Sequence, residues 1–371
     1  MKLFLSVGER SAEKYAYLLA QELKKALSSA EILSFGSSLL ATQSEKIADY
    51  QDISVIGFKE ALNILPKAAK ILNIIKKTIL KRNVDALILM DFPDFNFQLA
   101  RFAKKYGKKV IYYITPQVWA WRKTRIKQLF KYTDLIVPIL PFERTFFSVQ
   151  ATKYGYKPSK VVYFGHPILD VLHRDLEQES KTEKIVLILP GSRLSELNFH
   201  TKVFFDAAYL LKKEFNDYRF IVATQEHFLG YFKQFVKTYP FIEVSTDTYG
   251  LMKKSTIAIT KSGTVTLEAA LFGLPSVVAY KLSNLSYVVG KALIRGVDSI
   301  ALPNIIHGEN ILPELIQYDA TAQNIYKQAK LMLSNTYYRL QIKRELSQIQ
   351  YALGQYPITP KIAKAILDYL T

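Results

Sequence analysis

Short runs of consecutive apolar residues alternate along this chain with longer stretches whose apolar positions recur every three or four residues. Lys2–Val7 reads as a strand and Ser11–Leu27 as a helix. Ala86–Met90 is a buried-strand run, Phe97–Lys105 a helix and Val110–Ile114 the next strand. Leu135–Leu140 and Val161–Phe164 extend the series. Such alternation predicts a parallel sheet covered by helices.

After the polar stretch His173–Lys184 the pattern restarts. Ile185–Leu189, Arg219–Ala223, Ile242–Ser245, Ile257–Thr260 and Ser276–Tyr280 read as strands with helices between them. From Asn324 onward the pattern is helical, with breaks near Asn335 and at Pro357 and Pro360. The expectation is an α/β chain of two Rossmann-like, doubly wound domains facing a cleft, with a helical C-terminal tail. Residues 1–170 form the first domain and 171–345 the second, and the helix at 346–371 is free to pack back on the first.

The length of 371 residues fits two domains. A hydrophobic share of 49% against 22% charged, with few Gly and Pro, excludes a disordered or collagen-like chain. The absence of Cys removes disulfide scaffolds, thiolate zinc sites and cysteine nucleophiles together. A formal charge of +18 implies an anionic partner: nucleic acid, anionic membrane or phosphorylated substrate. The longest apolar runs, Val110–Trp121 and Ala269–Tyr280, are interrupted by Pro and far shorter than a bilayer span. Met1–Val7 is too short for a signal segment and runs into Glu9 and Arg10, so the expected location is cytoplasmic.

Ligands of open α/β sheets bind beyond the carboxyl ends of the strands, and three strand ends carry polar motifs. In Leu189-Pro190-Gly191-Ser192-Arg193, Gly191 and Ser192 allow a tight turn with exposed backbone N–H groups, and Arg193 offers a fork to a phosphate. An ordinary turn with a solvated Arg fits equally well. In Lys261-Ser262-Gly263-Thr264-Val265-Thr266-Leu267-Glu268, Ser262 or Thr264 caps a helix whose N-terminus favours a diphosphate. Glu268, one turn in, is placed for a ribose diol; a capped helix without ligand is the alternative. In Met90-Asp91-Phe92-Pro93-Asp94-Phe95-Asn96, either Asp is a candidate general base and either can cap the following helix. No Asp-x-Asp occurs, so no metal-bound diphosphate and no cofactor is expected. His166, alone in Gly165-His166-Pro167, reads as structural.

Basic residues cluster in the first half. Ile64–Val84 holds Lys67, Lys70, Lys76, Lys77, Lys81 and Arg82 without an acid, and Ile71, Ile74 and Ile75 supply apolar surface between them. Phe95–Thr133 again lacks acids. A basic amphipathic segment reads as interfacial membrane binding, or else as a solvated helix face over a core.

Taken together these segments resemble lipid-A-disaccharide synthase, an inverting glycosyltransferase family of bacterial lipopolysaccharide synthesis. The ordered blocks are Val55-Ile56-Gly57-Phe58, Asp91–Asn96, Pro116-Gln117-Val118-Trp119-Ala120-Trp121-Arg122, Leu140-Pro141-Phe142-Glu143, Gly165-His166-Pro167, Leu189–Arg193, Ser262–Glu268 and Leu302-Pro303-Asn304. The resemblance implies a GT-B fold, with acceptor and membrane served by the first domain and the UDP-sugar by the second. It implies transfer from UDP-2,3-diacylglucosamine to 2,3-diacylglucosamine 1-phosphate, giving a β-1,6 disaccharide and UDP. The family's base falls on Asp94 and its N-terminal acidic residue on Glu9. Donor contacts fall on Gly191, Ser192, Arg193, Ser262, Gly263, Thr264, Glu268 and Asn304. The acceptor and membrane side falls on Lys67, Lys70, Ile71, Ile74, Ile75, Lys76 and Lys77, together with Trp119, Trp121 and Arg122. The implied place is the cytoplasmic face of the bacterial inner membrane, as a peripheral protein, with a homodimer left open.

Two loops depart from the family pattern. The N-terminal loop usually reads Gly-Glu-Ala/Thr-Ser-Gly-Asp but here is Gly8-Glu9-Arg10-Ser11-Ala12-Glu13, and a later Gly-Gly loop appears as Phe35-Gly36-Ser37-Ser38. Both belong to the acceptor side. Rival readings are another GT-B enzyme, transferring GlcNAc or epimerising UDP-GlcNAc, and a basic nucleic-acid-binding protein, for which no RNA-binding motif is present.

Overall fold

A computed structural model describes residues 1–53, 58–120, 122–235, 237–283 and 299–371, with backbone only at 58–64. The chain divides into two compact units. Met1–Leu172 with Leu353–Thr371 make one, and His173–Ala352 the other.

In the first unit the strands are β1 (Lys2–Val7), β2 (Glu31–Phe35), β3 (Glu45–Ala48), β4 (Ala86–Met90), β5 (Lys109–Tyr113) and β6 (Leu135–Val137). They pair in parallel in the order β3-β2-β1-β4-β5-β6. The second unit repeats this plan with β7 (Ile185–Leu189), β8 (Arg219–Ala223), β9 (Ile242–Ser245), β10 (Ile257–Thr260), β11 (Ser276–Tyr280) and β12 (Glu314–Ile316). Its order is β12-β11-β10-β7-β8-β9, again all parallel. The central strands β4 and β7 are buried at every position, as runs covered on both faces must be.

Several elements differ from the pattern reading. The run Leu135–Leu140 stops pairing at Val137, because Pro138 brings no N–H to a ladder and Pro141 opens a helix, Pro141–Lys153. Val161–Phe164 is no strand but one isolated bridge from Val161 to Ile136. The helix read as Phe97–Lys105 begins earlier, at Pro93, where the ring fits a first helical position. Pro360 likewise sits in the first turn of helix Thr359–Leu370 rather than breaking one. β2, β3 and β12 were not apparent in the apolar pattern.

The last helix returns to the first unit. It packs on helix Arg10–Ala26 and buries Ile362, Ala363 and Ile366. The Asp170 carboxylate accepts the N–H of Ile358 (2.8 Å) and of Thr359 (2.5 Å), and the Thr359 hydroxyl as well. His166 N–H donates to the Leu353 carbonyl at 2.8 Å. Gly165, at φ +121°, leaves no room for a side chain: a Cβ there would lie 2.6 Å from the Leu353 oxygen. Asp170→Ala strands these donors and should cost about 2–4 kcal/mol of stability. Hydrogen exchange at residues 358–362 should accelerate accordingly, and unchanged exchange would refute Asp170 as the anchor.

Candidate active site

Each sheet grows outward in two directions from its first strand, so neighbouring loops diverge between β1 and β4 and again between β7 and β10. These are the topological switch points, where open α/β sheets bind ligands.

At the first switch point, Val7 pairs with Met90, so the turns that follow are neighbours. Gly8 closes the contact: a Cβ there would lie 2.2 Å from the Phe92 ring. Asp91 and Phe92 both take φ 45°, an uncommon left-handed pair without glycine. The buried Asn96 holds this turn by donating to the Met90 and Asp91 carbonyls (3.1 and 2.8 Å) and accepting the Ser6 hydroxyl (2.6 Å). Tyr112 adds a hydroxyl bond to the Asp91 carbonyl at 2.7 Å. The turn lifts Asp94 into the first turn of helix Pro93–Lys105, with its side chain 68% exposed. No side chain caps that helix; the N-cap residue is Phe92. Arg122 (3.1 Å) and Arg125 grip the Asp94 carboxylate. Arg125 has no role in the sequence reading, which had no way to show that it lies beside Asp94.

Glu9 stands at the start of helix Arg10–Ala26 and accepts the Ser11 hydroxyl. The two family departures prove to be one feature. Glu13 is buried and its carboxylate accepts the Ser37 N–H (2.6 Å), the Ser37 hydroxyl (2.6 Å) and the Tyr50 hydroxyl (3.2 Å). An acid in the first turn of helix Arg10–Ala26 thus reaches the serine of the loop after β2.

Trp119 is half-buried, its ring edge-on to Phe142, and its indole N–H donates to Glu143 at 3.0 Å. Trp121 and the block residues 55–57 lie outside the described residues. Glu143 also accepts the N–H of Leu140 (3.0 Å) and Ile139 (3.2 Å). Burial pushes its carboxyl up to about 7, against the opposing pull of these donors. His166 is buried too, and burial pushes it down to about 3, consistent with a structural histidine.

The basic segment forms helix Phe58–Lys81. Ile71 and Ile75 face the core, which removes them from any membrane contact; they lie one turn apart on the side turned to the sheet. Among the described residues Leu65 (64% exposed), Ile74 (42%) and Leu80 (41%) are the helix's large apolar side chains that face solvent. Lys67 pairs with Asp52 at 3.0 Å, Lys76 lies over the Phe102 ring, and Lys70 and Lys77 stay exposed. Among the described residues no helix is long and apolar enough to cross a membrane.

At the second switch point, Leu189 pairs with Thr260, which sets the Pro190–Arg193 turn beside Lys261–Thr264. Gly191 (φ +143°) and Gly263 (φ +146°) take backbone conformations that favour glycine. Arg193 is the N-cap of helix Leu194–Glu214. Helix Thr264–Leu271 begins after Gly263, with no side-chain cap from Ser262 or Thr264, and the Ser262 hydroxyl donates to the Ile300 carbonyl at 2.8 Å. Glu268 accepts the Tyr249 hydroxyl at 2.9 Å. Asn304 is buried: its amide donates to Leu312 and Glu314, its oxygen accepts the Leu312 N–H, and Glu314 in turn holds the N–H of Ile300 and Ala301. It therefore shapes the stretch that receives Ser262.

Glu196 and Lys261 link the two turns, and neither was singled out from sequence. Glu196 accepts the Ser192 N–H at 2.8 Å and the Lys261 ammonium at 3.0 Å. Burial alone would raise the Glu196 carboxyl, but Lys261, Ser192 N–H and Arg193 outweigh it and hold it below the usual range. His200 lies under this network, its Nδ1 at 2.7 Å from the Glu196 carbonyl and its Nε2 accepting Lys281 N–H at 3.0 Å, and burial pushes it down to about 4. Among the described residues no group of three or more His, Asp or Glu side chains could hold a metal ion.

A family model described as lipid-A-disaccharide synthetase matches residues 3–365. The chain belongs to this family. Curated lipid-A-disaccharide synthases resemble it along nearly their whole length. That of Sulfurihydrogenibium sp. is 35% identical over 95% of this chain and 94% of its own, and that of Persephonella marina 34% over 95% of each. Among solved structures, the S. aureus MnaA–UDP co-structure superposes with a TM-score of 0.68 at 14% identity, covering 100% of this chain and 96% of that one. UDP-GlcNAc 2-epimerase from Neisseria meningitidis gives 0.67 at 14%, covering 100% and 99%. Acinetobacter baumannii MurG gives 0.58 at 14%, covering 99% of each. At that identity they speak to fold alone, and the fold is GT-B. The synthetase family membership rests on the sequence relatives.

Glu143 provides a pH test of the Trp119 loop. Its folded carboxyl titrates near 7, above an ordinary value of 4.5, so the folded state binds that proton more tightly than the unfolded chain. Its contribution to stability is complete below about 4.5 and declines as pH rises through about 7. Between pH 4 and 8, Glu143→Gln should gain on the parent by on the order of 3 kcal/mol. Urea unfolding at both pH values checks this, and parallel pH dependences would rule it out.

Proposed function

We propose that this chain joins UDP-2,3-diacylglucosamine to 2,3-diacylglucosamine 1-phosphate, giving the β-1,6-linked disaccharide 1-phosphate and UDP by a single inverting displacement. One observation carries the reading. The family's Asp and its two donor motifs fall at the switch points of two separate sheets, where ligands of such sheets bind.

In this reading the first unit serves the acceptor and the second the donor. The acceptor 6-hydroxyl gives its proton to Asp94 as its oxygen bonds to the donor's anomeric carbon. The bond from that carbon to the diphosphate oxygen breaks, and UDP leaves with the electron pair. Arg122 and Arg125 orient the Asp94 carboxylate. Arg193 and the uncapped N-terminus of helix Thr264–Leu271 meet the growing charge on UDP. Glu268 is placed for the ribose, and Glu9, beside the Asp94 turn, for the acceptor. Asp94→Ala should lower turnover by about 10²–10⁴-fold and leave UDP affinity intact. Undiminished turnover would remove Asp94 as the base. Arg193→Ala should weaken UDP binding itself.

Both substrates carry acyl chains, so the enzyme must work at a lipid surface, here the cytoplasmic face of the inner membrane. The exposed face of helix Phe58–Lys81 that carries Lys70, Ile74 and Lys77 is the proposed contact. A lysine near anionic headgroups gains about 1 kcal/mol. Reversing Lys70 and Lys77 to Glu should therefore weaken partition onto phosphatidylglycerol vesicles by about tenfold or more. Sedimentation with vesicles measures it, and equal partition would move the contact elsewhere.

A further inference from the structure

The two donor turns share one feature that the family's donor residues do not account for. An ion pair between Lys261 and Glu196, 13% and 12% exposed, joins residues 65 positions apart in sequence. Burying such a pair is a weak source of stability, because both groups lose hydration. Its position is more informative than its energy. The Glu196 carboxylate takes the N–H of Ser192 in one turn and the ammonium that follows β10 in the other, with Arg193 close enough to act on its charge. A carboxylate set between a guanidinium, an ammonium and a backbone N–H occupies the surroundings that a phosphate group would seek.

Lys261 has capacity to spare. An ammonium carries three donors, and among the described residues Glu196 is the one hydrogen-bond partner of its Nζ. That nitrogen lies over Gly263, 2.6 Å from where a Cβ on this glycine would stand. Gly263 is the N-cap of helix Thr264–Leu271, which no side chain caps. Ammonium, glycine turn and helix N-terminus thus coincide, and any residue larger than glycine would displace the amine from this place.

We infer that Lys261 is a second cationic contact for the diphosphate of the nucleotide-sugar donor, with Glu196 holding its ammonium between the two turns until the donor binds. This inference rests on the donor-site reading above. On binding, the diphosphate shares or replaces the Glu196 carboxylate as counter-ion of Lys261, while Glu196 keeps the Ser192 N–H. No covalent step is involved.

The test is titration of the full chain with UDP and with uridine, which lacks the diphosphate. Lys261→Met should raise the Kd for UDP at least tenfold and leave that for uridine within twofold, and Lys261→Arg should recover most of the loss. Because Lys261→Met leaves Glu196 unpaired, the double variant Glu196→Gln/Lys261→Met is measured beside it; its Gln oxygen can still accept the Ser192 N–H. The double variant should lose UDP affinity as fully as Lys261→Met does. Recovery of UDP affinity in the double variant would show that the lysine only neutralises Glu196, and the inference would fall. Equal losses for UDP and uridine would also overturn it. Arg193→Ala separates the two levels. If it weakens UDP while Lys261→Met does not, only the role of Lys261 is wrong; if neither matters, the donor site itself has been misplaced.

Discussion

The reversal of strand progression at the first strand of each sheet governs where chemistry can reside in this molecule. A right-handed crossover places successive helices on one face while the sheet grows one way, and on the other face when it grows back. Loops leaving β1 and β4 therefore part from each other, as do loops leaving β7 and β10, and each parting opens a crevice at the carboxyl edge. The central strands β4 and β7 are wholly apolar, so the polar side chains next to them gather in the turns beyond the strand ends. The twofold use of one strand order supplies two such crevices in a single chain.

Carboxylates that are buried or half-buried set the details. Glu13 fastens the loop after β2, Glu143 the Trp119 loop, Asp170 the start of the last helix and Glu196 the turn after β7. Each accepts backbone N–H groups that would otherwise be stranded in a loop too short to pair them internally. Glu13 and Ser37, one from each of the two unusual segments, are direct hydrogen-bond partners.

Reading the chain by its pattern found what a one-dimensional signal can carry. Ala86–Met90 and Ile185–Leu189 stand out because both faces of a central strand are dry. Glu45–Ala48 and Glu314–Ile316 escape because edge strands are short and half polar. Leu135–Leu140 misleads because apolarity continues past a proline that ends the ladder. The switch-point motifs were legible as turns after strands, and their residues sit where such turns belong. Their partners were not legible: Arg125 beside Asp94, and Lys261 on Glu196, meet through the tertiary fold, which no spacing encodes. Ile71 and Ile75 show the reverse error, in which an amphipathic helix reveals its two faces but not which one the protein keeps for itself.

The return of the last helix to the first unit makes the second unit an insertion, bounded by Leu172 and Leu353. A ribosome delivers the chain from its N-terminus, so His173–Ala352 emerges whole while its predecessor still lacks Ile362 and Ile366 for its core. The half begun first is completed last. A nonsense codon just before Leu353 would thus spare the unit His173–Ala352 and leave unfinished the one that carries Asp94.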